Sequence, residues 1–222
     1  MQKFATTAPV AASLSVPAGR IQLIAADRTD ATVDVRPADP KNKRDVRAAE
    51  EMLVSYADGT LRITDPAPKN RAFGPSGSVE VTVQLPAGSP VTVEAADAEL
   101  RGVGRLGDVA LEAARAAVKL DETSAARITV AAGDITLGRL TGPARVRTRM
   151  GDITVTDAAR GDLDLETAKG DITVATAPGT DATLDAGTSY GRVANSLTYS
   201  GGTPAVTVRA TTAYGDITAR SN

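Results

Sequence analysis

Gly151-Asp152-Ile153-Thr154-Val155 returns as Gly170-Asp171-Ile172-Thr173-Val174. The same phrase stands earlier as Gly133-Asp134-Ile135-Thr136-Leu137 and later as Gly215-Asp216-Ile217-Thr218-Ala219. Gly191-Arg192-Val193-Ala194 is a degenerate copy. Each copy follows a second alternating run: Ile128-Thr129-Val130, Val146-Arg147-Thr148, Leu163-Asp164-Leu165 and Val206-Thr207-Val208. Further upstream, Val91-Thr92-Val93-Glu94 before Ala98-Glu99-Leu100, and Val109-Ala110-Leu111-Glu112 before Val118-Lys119-Leu120, keep the pattern without the Gly-Asp. With the first apolar residue after each turn as marker, Ala98, Val118, Ile135, Ile153, Ile172, Val193 and Ile217 are spaced by 20, 17, 18, 19, 21 and 24 residues, which implies about seven coils.

A repeat of this length, holding two or three short strands, is too short for a propeller blade or a helical hairpin and fits one coil of a β-solenoid. Stacked coils lie about 4.8 Å apart, each strand paired in parallel with its equivalents above and below. Period-two alternation then sorts the side chains. Ile135, Leu137, Ile153, Val155, Ile172 and Val174 point inward, and Thr136, Thr154 and Thr173 point outward. Gly takes the corner, where a Cβ would strike the next coil. Tyr190 and Tyr214, each just before a corner Gly, are placed to stack on one another.

The first ninety residues read differently, as antiparallel β structure cut by turn signals. Candidate strands cover 11–16, 20–25, 31–36, 52–56, 60–64 and 78–85. Pro17-Ala18-Gly19, Ala57-Asp58-Gly59 and Pro86-Ala87-Gly88 punctuate them, and Ala57-Asp58-Gly59 closes a hairpin. Residues 44–51 suit one or two helical turns or an exposed connection, and the Pro/Gly/Lys-rich 66–77 suits a loop. The reading is therefore a 1–90 N-terminal β region and a 91–222 repeat region. A solenoid exposes strand edges at its ends and needs caps. The N-terminal region supplies one, whereas only Arg220-Ser221-Asn222 follow the last repeat. That end is expected either to self-associate or to be blunted by its charges.

Composition narrows the function. A chain of 222 residues with 42% apolar content buries a real core. Net charge is −2, from 25 basic and 27 acidic residues, so there is no pull toward nucleic acid or anionic lipid. The absence of Cys and His removes thiol nucleophiles, zinc thiolates and the commonest general base. Met1-Gln2-Lys3-Phe4-Ala5-Thr6-Thr7 has no signal-peptide pattern and no stretch is apolar enough to span a membrane, so a cytoplasmic location without membrane insertion is expected.

On Val79-Glu80-Val81-Thr82-Val83-Gln84-Leu85-Pro86-Ala87-Gly88 leading into the repeated Gly-Asp-Ile-Thr-Val, the chain resembles the DUF4097 family of bacterial, adhesin-like β-strand-repeat proteins over nearly its whole length. Its Ala-, Arg- and Asp-rich composition is similar to actinobacterial members. The resemblance implies an all-β fold, a right-handed single-stranded parallel β-helix, and a non-enzymatic role with no catalytic residues to carry over.

The repeated polar residues carry both a functional and a structural reading. Asp134, Asp152, Asp171 and Asp216 could share a cation, or each could accept a backbone N–H at its corner; the second is expected, with no metal and no cofactor. The threonine column could order water, yet Thr is also a good strand residue. Asp162, Asp164 and Glu166 could support polysaccharide cleavage, but with 3% aromatics the chain has little with which to stack a sugar. They more simply solvate an outer face shared with Arg147, Arg149, Arg160 and Lys169. Val103-Gly104-Arg105-Leu106-Gly107 fits no phosphate-binding loop. The leading expectation is a structural or interaction protein that offers a flat β surface to a protein partner or to itself. The alternative is a glycan-binding or polysaccharide-processing β-helix.

Overall fold

A computed structural model describes residues 1–66 and 77–222. In chain order the elements are β1 (Gln2–Ala5), β2 (Ala11–Ala26), β3 (Asp30–Pro37), α1 (Lys43–Glu51), β4 (Leu53–Ala57), β5 (Thr60–Thr64), β6 (Val79–Pro86) and β7 (Val91–Ala132). There follow β8 (Ile135–Leu140), β9 (Ala144–Met150), β10 (Ile153–Ala158), β11 (Gly161–Lys169), β12 (Ile172–Thr176), β13 (Ala182–Tyr190), β14 (Val193–Ser196), β15 (Val206–Tyr214) and β16 (Ile217–Ser221). Among the described residues the chain is all-β apart from α1, and the strands join in one sixteen-stranded open sheet wound as a solenoid. Among the described residues no helix is long and apolar enough to cross a membrane.

The coils stack in two columns of parallel strands. One runs β6-β2-β7-β8-β10-β12-β16-β14 and the other β5-β2-β7-β9-β11-β15-β13. In the middle of the stack the register is the one that the repeat predicts: Ile153 lies opposite Ile135 and Ile172, and Val155 opposite Leu137 and Val174. These side chains are fully buried and form continuous aliphatic ladders. The 42-residue β7 bends around several corners, pairing with β2 early and with β8 and β9 late. Its first marker shifts by two residues, since Ala98 lines up with the corner Gly19 and Leu100 with Ile21.

At the N-terminal end the antiparallel expectation is half corrected. β1–β3, β3–β6 and β4–β5 are antiparallel, but β2 is a single strand of sixteen residues that pairs in parallel with β5, β6 and β7. Pro17-Ala18-Gly19 is therefore a solenoid corner and not a hairpin turn. Gly19 sits at φ +140, where an added Cβ would fall 1.8 Å from the carbonyl oxygen of Val79. α1 has Asn42 as N-cap, accepting the Arg44 N–H. Its buried Asp45 accepts the N–H of Ser78 at 2.9 Å and of Asp39 at 3.2 Å, which ties the helix to the strands beneath. Asp30 receives Arg28 at 2.7 Å and Lys3 at 2.9 Å, and these two cations hold its carboxyl at about 2, down from 3.8. Of the expected 66–77 loop, residues 67–76 lie outside the described residues.

The C-terminal end departs from sequence order. β15 and β16 come last in the chain but do not stack last. They lie between β11/β12 and β13/β14, so the outermost coil is the degenerate copy around Gly191. β14 is exposed along its whole length, whereas Val206, Val208, Ala210 and Ile217 of the inserted coil are buried. The degenerate copy takes the outer position because it has lost the residues that an interior coil needs. Asn195 stands in the column that Ala219 and Val174 occupy one and two coils inward. There, between two coils, its amide would have no partner.

Candidate functional site

The carboxylates of the repeated Asp residues lie along the axis of the stack. Oδ1 of Asp134 accepts the backbone N–H of Asp152 at 2.9 Å, Asp152 that of Asp171 at 2.8 Å, and Asp171 that of Asp216 at 2.7 Å. The last bond runs from the Arg192 N–H to Asp216 at 2.8 Å. Each carboxylate thus bonds to the neighbouring coil, which opposes the repulsion between stacked like charges. The ladder stops at the outer coil, where Arg192 replaces the Asp. Among the described residues no three Asp or Glu side chains are placed to hold a metal ion.

Two features of the same corner complete it. An added Cβ on Gly170 would lie 2.1 Å from the Gly151 carbonyl oxygen, and one on Gly215 would lie 2.0 Å from that of Gly170. Three residues before Gly151, Gly170, Gly191 and Gly215 stands a threonine that the short Gly-Asp-Ile-Thr phrase leaves out. The hydroxyls of Thr167, Thr212 and Thr188 donate to the carbonyls of Gly151, Gly170 and Gly215, each at 3.0 Å. The fuller motif is Thr-x-x-Gly-Asp-Ile-Thr, legible in the sequence once the copies are aligned backward from the Gly.

The outer face of the second column carries the carboxylates considered for sugar chemistry. Asp164 faces Arg145 at 3.2 Å and Arg147 at 3.7 Å, and Glu166 faces Arg147 at 3.4 Å. The column runs Arg145, Asp164, Arg209, Asp185, an alternation of sign across four strands. A carboxyl acting as general acid sits in an apolar setting or beside another carboxylate; here half-buried Asp164 and exposed Glu166 each lie opposite a guanidinium. Asp162 lines a groove of about 470 Å³ with Pro90, Asp108, Arg127, Pro143 and Arg145, of mixed sign and without an aromatic side chain. Arg149, Arg160 and Lys169 are exposed, and Arg160 donates to the Thr141 carbonyl at 2.9 Å. The outward Thr136, Thr154 and Thr173 form one half-buried column.

Several exposed apolar groups gather at the outer coil and the coil beneath it. Tyr190 and Tyr214 stack with ring centroids 4.9 Å apart and planes 3° from parallel, as their shared position predicts. Tyr190, Val193 and Tyr199 are exposed. Among the described residues β13 pairs only with β15, and β14 only with β16. No further strand pairs with their outer edges among the described residues, and on β13 the Ala182 N–H already donates to the Thr198 carbonyl at 3.0 Å.

The Toastrack DUF4097 family model matches residues 11–220. A candidate adhesin from Bacteroides fragilis NCTC 9343 is 16% identical, with 98% of this chain and 95% of that one covered and a TM-score of 0.56, which shows a shared fold. A candidate cell adhesion protein from Clostridium sporogenes ATCC 15579 aligns over 100% of this chain and 98% of its own at 13% identity, with a TM-score of 0.42. A candidate adhesin from Parabacteroides merdae ATCC 43184 aligns over 100% and 93% at 11% identity, with a TM-score of 0.43. No curated protein matches the chain.

Proposed function

We propose that this chain, which belongs to the Toastrack DUF4097 family, is a non-enzymatic, adhesin-like interaction protein that presents a flat β-solenoid surface to a protein partner or to another copy of itself. The observation that carries this reading is the use of the recurrent polar groups. The Asp ladder is bonded to backbone N–H groups, the inner Thr ladder to corner carbonyls, and the outer carboxylates face arginines. Each is absorbed by the architecture, and what is left over is an extended face of alternating charge and one open end. We take the solenoid as a right-handed, single-stranded parallel β-helix, capped at its N-terminal end by β1, β3, β4 and α1.

The test sets protein against glycan. Captured partners are crosslinked to the intact chain, and the same chain is assayed against a glycan array and a panel of polysaccharides. The reading expects a stoichiometric protein complex that weakens when Arg145, Arg147 and Arg209 are reversed to Glu, and no saturable glycan binding. Hydrolysis or saturable glycan binding that is lost in Asp162→Asn or Asp164→Asn would overturn it.

A further inference from the structure

We infer that the outer coil is a dimerisation surface on which two copies of this chain meet end to end, β13 of one running antiparallel to β14 of the other. The inference rests on the interaction reading above and gives it a partner and a register.

The outer coil cannot be extended by another parallel coil of its own kind. Each interior coil offers the next an Asp carboxylate for a backbone N–H, and at the end Arg192 stands in that place. A further repeat would find no acceptor there, and Asn195 would lie under it in an otherwise aliphatic column. Parallel growth into a fibre is thereby discouraged. What remains is a two-fold arrangement, in which the same patch serves both copies.

One antiparallel register satisfies the chemistry of both strands at once. It sets Leu184 opposite the partner's Val193, both continuing buried aliphatic columns through Val208 and Ile217. It also sets Asp185 opposite the partner's Arg192, a carboxylate against a guanidinium at exposed positions. Thr183 meets the partner's Ala194, so inward residues face inward ones and outward face outward. Near the axis Tyr190, 68% exposed, comes over the partner's Gly187, where the space a Cβ would fill has no atom within 4 Å. By symmetry each contact occurs twice. Shifting the strands by two residues breaks both the charge pair and the aliphatic pair.

The experiment is sedimentation of the whole chain from micromolar to several hundred micromolar, with variants at exposed positions that leave the core untouched. Asp185→Arg and Arg192→Asp should each weaken the dimer by about tenfold or more, and the double reversal should restore it. The chain has no native cysteine, so Asp185→Cys with Arg192→Cys should oxidise to a covalent dimer, while neither single variant should. A chain that stays monomeric, or a dimer indifferent to both reversals, overturns the pairing. A monomer that still captures a protein overturns the pairing alone; one that instead binds glycan overturns the parent reading as well.

Discussion

At the residue scale, the corners at Gly170 and Gly215 are small machines of three parts: a glycine that lets backbones touch, an aspartate that caps the next coil's N–H, and a threonine that caps the previous glycine's carbonyl. Because the aspartate acts as an acceptor, Asp152→Asn should be close to neutral and Asp152→Ala should cost about 1 kcal/mol in chemical denaturation. Added calcium should raise the melting temperature of none of these proteins; a calcium-dependent rise abolished in Asp152→Ala would point to the shared cation instead. Gly170→Ala meets a carbonyl oxygen at 2.1 Å at φ +149 and should cost on the order of 2 kcal/mol or more. At the other end of the molecule, the depressed Asp30 carboxyl makes the β1–β3 contact acid-labile. Its folded value lies below its unfolded one, so its stabilisation is complete above about pH 4 and is lost as pH falls toward about 2. The gap in melting temperature between the parent and Asp30→Asn should follow that course, and a gap that stays constant to pH 2 would contradict the assignment.

At the element scale, the interior coils were legible in the sequence because Gly-Asp-Ile-Thr fixes both the corner and the phase of alternation. Ile135, Ile153 and Ile172 fall in one column as the repeat says. Stacking order was not legible. The spacings of 21 and 24 around Val193 and Ile217 record loop length, and a loop long enough to pass one coil looks like any other insertion. The usable signal lay in the residues lost from the degenerate copy. Arg192 for Asp and Asn195 for an aliphatic residue mark a coil with one free side. Pro17-Ala18-Gly19 misled for a related reason, since Pro and Gly punctuate solenoid corners as well as hairpins. Amide hydrogen exchange should follow the observed order. Amides of Val206–Tyr214 and Ile217–Ser221 should be protected like those of β10 and β12, and those of Val193–Ser196 should exchange fastest. Fraying of β15 and β16 ahead of β14 would contradict it.

At the scale of the whole molecule, the two ends share one device. β2, the first long strand, lies between the β5/β6 coil and β7; β15/β16 lies between β11/β12 and β13/β14. In both cases a segment near one end of the sequence is clamped from two sides, and a segment from further inside the sequence forms the outer layer. The N-terminal layer adds antiparallel strands and a helix. At the C-terminal side the outer layer is one degenerate coil with open edges, and both the proposed interface and its register depend on that coil being outermost. Short-span thiol crosslinking tests this most directly in a chain without cysteine. Thr173 lies beside Thr218, whereas Thr173 and Ala194 are separated by the inserted coil. The Thr173→Cys/Thr218→Cys variant should crosslink within one chain nearly to completion while Thr173→Cys/Ala194→Cys stays unlinked, and the opposite pattern would show that the coils stack in sequence order and that the outer coil has been misplaced.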